Sequence, residues 1–125
     1  MNKLKLFLLI LFSQFLNSQS IIGAWEKYET NSDGSTHRHV VIFSEGFKST
    51  SVFDSSNGKF ISTNGGAWFL DGSTLTEKIE FDTQDQEKVG STIKFEIDIK
   101  DNTFTNINSG KTWNRIDDGS PGQLN

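Results

Sequence analysis

The chain has 125 residues, no cysteine, and 12 basic against 16 acidic residues, for a net charge of −4. One domain is the prior at this length. The acidic balance argues against a nucleic-acid partner, which would call for a basic patch to displace counterions from phosphates. The missing cysteines exclude a disulfide framework, a thiolate metal site and a cysteine nucleophile.

Residues 1–20 have the layout of an export signal. Lys3 and Lys5 form a short basic head, Leu6 to Phe12 is an unbroken apolar run, and Asn17, Ser18 and Ser20 supply small and polar residues for cleavage after Ser18 or Ser20. Ser13, Gln14 and Asn17 cut the apolar stretch short of the roughly 20 residues that a spanning helix needs, although an uncleaved anchor is the alternative. Removing Lys3 and Lys5 from the 12 basic residues leaves 10 against 16 acidic, or −6. The expectation is a secreted or periplasmic protein with no transmembrane segment after signal cleavage.

From Ile21 onward no 3.6-residue apolar stripe occurs, and β-branched and aromatic residues recur between turn signals such as Ser32-Asp33-Gly34, Glu45-Gly46, Asn64-Gly65-Gly66 and Asp71-Gly72. Strands are predicted over 24–30, 36–44, 47–53, 59–63, 67–70, 74–82, 91–100, 103–107 and 111–117, with a solvated loop over 83–90. In the seventh, Ile93, Phe95, Ile97 and Ile99 alternate with Lys94, Glu96, Asp98 and Lys100, giving one apolar and one charged face. In the sixth, Leu75, Glu77, Ile79 and Phe81 share a face that only Glu77 interrupts. Eight or nine short antiparallel strands in one small domain (21–117) predict an all-β up-and-down barrel, since closure removes the sheet edges; a Greek-key sandwich is the alternative. Residues 118–125, rich in Gly, Pro and Asp, read as a flexible tail or a truncated linker.

Gly23-Ala24-Trp25 opens the first strand, and Lys111-Thr112-Trp113-Asn114-Arg115 lies in the last. The G-x-W resembles the first motif of the lipocalins (calycins). With Gly65-Gly66-Ala67-Trp68, Leu75-Thr76-Glu77, Val89-Gly90 and the W-x-R, the pattern over residues 21–117 resembles the lipocalin-like domains of secreted bacterial proteins. The resemblance implies that Trp25 plugs the closed end of the barrel and that Arg115 lies across its ring, a contact worth ~1–2 kcal/mol where shielded from water. It also implies a second barrel domain in longer relatives. The chain departs from typical lipocalins in being shorter, cysteine-free and without a C-terminal helix, which argues against a large ligand cavity.

Among candidate site residues, His37 and His39 fall on one strand face, the spacing with which H-x-H can chelate zinc, with Glu29 or Glu45 as third ligand. That ligand set is incomplete, and two surface histidines in a polar half-strand explain the pattern as well. Glu77, on an apolar face, is either a polar anchor inside a pocket or a rim residue; inside, desolvation raises its pKa unless a cation meets it. The eight phenylalanines after the leader, with Trp25, Trp68, Trp113 and Tyr28, either line a pocket or simply fill the interior. Hydrolase, phosphate-binding and dinucleotide motifs are absent from the sequence. The expectation is therefore a non-catalytic barrel without a cofactor, binding a small apolar or amphipathic ligand through Tyr28, Phe43, Trp68, Glu77, Phe81 and Phe95. The alternative is a filled barrel that serves as an interaction module of the cell envelope.

Overall fold

The computed structural model describes residues 21–120, so the predicted signal segment and the last five residues lie outside the described chain. Nine strands form: β1 (Gly23–Thr30), β2 (Thr36–Ser44), β3 (Phe47–Asp54), β4 (Phe60–Asp71), β5 (Thr74–Lys78), β6 (Phe81–Asp82), β7 (Thr92–Lys100), β8 (Thr103–Asn106) and β9 (Thr112–Asp117). All pairings are antiparallel. The sheet runs β3-β2-β1-β9-β8-β7-β5-β4 and closes through β3–β4, while β6 adds to β4. The result is a closed eight-stranded meander barrel with one extra short strand. A single 3-10 turn (Gln86–Lys88) occupies the predicted loop, and no helix among the described residues is long and apolar enough to cross a membrane.

Two predicted boundaries move, for one reason. Asn64-Gly65-Gly66, read as a turn between two strands, lies inside the single strand β4, and the predicted strand over 74–82 is broken after Lys78. The chain at 78–80 crosses directly over the two glycines. A Cβ on Gly66 would run into the Lys78 carbonyl oxygen and meet the Glu80 side chain at 2.8 Å. Glu80 N–H donates to Gly65 O (2.7 Å), and the Glu80 carboxylate accepts from Ala67 N–H (2.7 Å). The glycines thus bend β4 so that its first half pairs with β3 and its second half with β5. Beyond the crossing, Asp82 is buried, its carboxylate accepting the Gln84 and Asp85 N–H groups at 2.9 Å each.

The core fills one end of the barrel with Ile21, Trp25, Val41, Phe43, Trp68, Leu75, Ile97 and Phe104. Alternation puts those that lie in strands on the inner face, and Ile21, just before β1, is completely buried with them. Their rings interlock: Phe43 meets Trp68 edge-on at 5.3 Å, and Phe104 lies 5.7 Å from Trp25 and 6.1 Å from Phe43. Both core indoles are also tied by hydrogen bonds. Trp25 Nε1 donates to Ile21 O (3.0 Å), and Trp68 Nε1 donates to Ser44 O (2.8 Å) and Phe47 O (3.0 Å), bracing the β2–β3 turn.

Candidate functional site: the barrel lumen

At the closed end, Trp25 is completely buried and stands opposite Arg115 in the β1–β9 register. The guanidinium carbon lies 4.1 Å from the indole centroid, and Nη1 donates to Ile22 O at 3.0 Å. Gly23 is what lets the strands meet there. Its φ is +128°, and a Cβ would strike the Asp117 carbonyl and crowd Arg115 Nη1. The glycine, tryptophan and arginine of the two motifs are therefore one packing unit.

Midway along the lumen the walls become mixed. Lys48 stands opposite Phe43 in β2 and Gly66 in β4, so its stem crosses the interior. Its Nζ lies 2.7 Å from a carboxylate oxygen of Glu77, which β5 holds opposite Trp68. The two side chains are 10% and 6% exposed. A cation thus does meet Glu77, which faces inward rather than lying at a rim. Beside the pair is a cavity of about 100 Å³, lined by Val41, Phe43, Thr50, Phe95, Phe104, Asn106 and Trp113 along with Lys48 and Glu77.

A second ionic cluster lies against Trp113. Lys27 Nζ is 4.8 Å from the Trp113 ring centroid and pairs with Glu29, which also pairs with Lys111 (2.8 Å) and lies 3.5 Å from His39 Nε2. His39 meets the same indole edge-on at 6.1 Å. Hydrogen bonds from Lys111 and Lys27 hold the Glu29 carboxyl at about 2, well below the ordinary range. Burial pulls Lys27 down despite its contact with Glu29, and burial followed by the Lys27 charge pulls His39 down.

Of the six expected ligand residues, Phe43, Glu77 and Phe95 line the lumen cavity, and Trp68 belongs to the core beside it. Tyr28 and Phe81 do not join them. Tyr28 is three residues past the inward Trp25, and an odd offset along a strand reverses the face; it is 57% exposed on the outer wall. Phe81 loses its assumed parity with Glu77 at the break after Lys78. It stands opposite Gly65 and stacks on the outer residue Phe47 at 6.3 Å. His37 and His39 share the inner face, but the Glu29 carboxylate is already engaged by two lysines, and Glu45 sits in the turn at the other end of β2. Among the described residues no group of three or more His, Cys, Asp or Glu is placed to hold a metal ion.

Lys48 and Lys27 carry the polarity of the lumen and were not singled out by their sequence. Parity with Trp25 was the available signal for Lys27. For Lys48 it was the two-residue Glu45-Gly46 turn, which sets Phe43 and Lys48 opposite one another.

Two of the larger hollows among the described residues lie outside the lumen. One, of about 660 Å³, is an open groove with Ile22, Ala24 and Ile42 on its floor and Glu45, Asp117 and Asp118 around it; the other, of about 380 Å³, lies between Tyr28, Arg38 and Phe53. No protein-family model matches the chain, and no curated protein or solved structure matches it either.

Proposed function

We propose that the protein is an exported, non-catalytic, lipocalin-like barrel that binds one small amphipathic molecule in its lumen. The observation that carries this reading is the roughly 100 Å³ cavity in which the Lys48–Glu77 pair faces Phe95, Phe104 and Trp113. Apolar walls with a few convergent polar groups are the usual constitution of a small-molecule site, but about 100 Å³ falls below the ~300 Å³ at which ordinary ligand pockets begin and counts against any ligand of that usual size. At ~30 Å³ per water the space holds about three waters, so the ligand is a molecule of a few heavy atoms rather than a lipid chain. Export rests on the basic head and apolar run of residues 1–20, and the lipocalin-like assignment on the G-x-W and W-x-R residues.

The test is a nitrogen-15 NMR titration of the mature protein with small amphiphiles, 1-butanol and butyrate among them. Binding should shift the Trp113 indole and the Phe95 and Phe104 amides, and Thr50→Leu, which adds bulk to the wall, should abolish it. Shifts confined to the outer wall would refute the lumen site.

The groove of about 660 Å³ favours a second reading, an envelope interaction module that works through its outer face. Under that reading Ile42→Asp, on the groove floor, abolishes association with the envelope and leaves the lumen titration unchanged.

A further inference from the structure

We infer that the lumen cavity takes a small dipolar molecule of zero net charge, a zwitterion of the size of glycine or alanine, with its carboxylate on Lys48 and its ammonium on Glu77. This rests on the lumen reading above and specifies its ligand class. The charged groups of the cavity are one cation and one anion, 2.7 Å apart and each about nine-tenths or more buried, with Thr50 and Asn106 as its other polar lining residues. An incoming anion can take Lys48 only by leaving the buried Glu77 carboxylate without its cation, and an incoming cation does the reverse to Lys48. Uncompensated buried charge is among the costliest arrangements in a protein interior. A purely apolar ligand makes no use of either group.

A zwitterion laid antiparallel to the pair avoids both penalties, since every charge gains an opposite neighbour and none loses one. The amino and carboxylate groups of an α-amino acid are separated by only two bonds through a single Cα, a spacing close to that of the Lys48–Glu77 pair. The size agrees as well, because about 100 Å³ accommodates a few heavy atoms. Phe95, Phe104 and Trp113 then lie against the aliphatic part.

The experiment is a calorimetric and NMR titration of the mature wild-type protein at pH 7 with four probes of matched size: L-alanine, propionate, ethylammonium and 2-propanol. Alanine should bind at least tenfold more tightly than any of the other three and shift the Trp113 indole. Lys48→Met and Glu77→Gln should each weaken alanine binding at least tenfold, with folding checked by circular dichroism. Propionate, ethylammonium or 2-propanol binding as well as alanine at the same resonances would overturn the zwitterion assignment and leave the lumen reading standing. If none of the four shifts a lumen resonance, both fall. The wild-type panel decides the matter even where a variant does not fold.

Discussion

Replacing Arg115 with alanine tests the closure of the barrel. Two of the guanidinium's contacts can be assigned strengths separately: the face of a fully buried indole at 4.1 Å and the Ile22 carbonyl at 3.0 Å. A shielded cation–π contact is worth ~1–2 kcal/mol, and a hydrogen bond from a charged group ~1.5–3 kcal/mol. Arg115 is half-buried, so both lie toward the low end of their ranges, and the expected loss is about 2–3 kcal/mol. Urea denaturation followed by tryptophan fluorescence should show a midpoint lowered by ~1–2 M with little change in slope, for a slope of ~1–3 kcal/mol/M. Arg115→Lys should recover only part of the loss, because an ammonium cannot lie flat on the ring while reaching Ile22 O. A loss below about 0.5 kcal/mol for Arg115→Ala would refute the closure argument.

Three other outcomes follow from the same geometry. Trp68→Phe keeps the ring in the core but removes the donor to Ser44 O and Phe47 O, and should cost ~1–2 kcal/mol in the same assay. Gly66→Ala places a methyl group against the Lys78 carbonyl and should destabilise by more than about 1 kcal/mol, whereas Gly34→Ala, with open space around it, should cost less. The Glu29 carboxyl sits at about 2 in the folded chain against an ordinary 4.5, so its stabilising contribution is complete above pH 4.5 and is lost as pH falls toward 2. Thermal melts of Glu29→Gln should accordingly show a flatter acid limb than wild type across that window.

How much of this was legible in the sequence depended on whether the deciding contact was local. Residues 92–100 announced a strand through strict alternation, and β7 (Thr92–Lys100) forms there. Glu77 stood out because a lone charge on an apolar face is visible in a window of a few residues. Lys48 was not visible in that way. Its strand runs Phe47-Lys48-Ser49-Thr50-Ser51, with no apolar rhythm to mark which face is inner, and only its position opposite Phe43 reveals it. The double glycine at 65–66 misled for a different reason. Two glycines signal a turn or a close backbone approach equally well, and the approaching backbone, at Lys78 and Glu80, comes from a later strand. Residue type alone points Tyr28 to the lumen, where its odd offset from Trp25 puts it outside, and the parity that places Phe81 with Glu77 holds only for an unbroken strand, whereas the strand breaks after Lys78.

A charged pair enclosed within the barrel is the central feature of the lumen, and a double-mutant cycle between Lys48 and Glu77 measures it directly. With Lys48→Met, Glu77→Leu and the double variant compared in urea, each single change should cost ~3–5 kcal/mol by stranding its partner, while the double variant regains most of the loss. Two near-neutral single variants with a coupling below ~0.5 kcal/mol would place both groups in water and contradict the lumen described here.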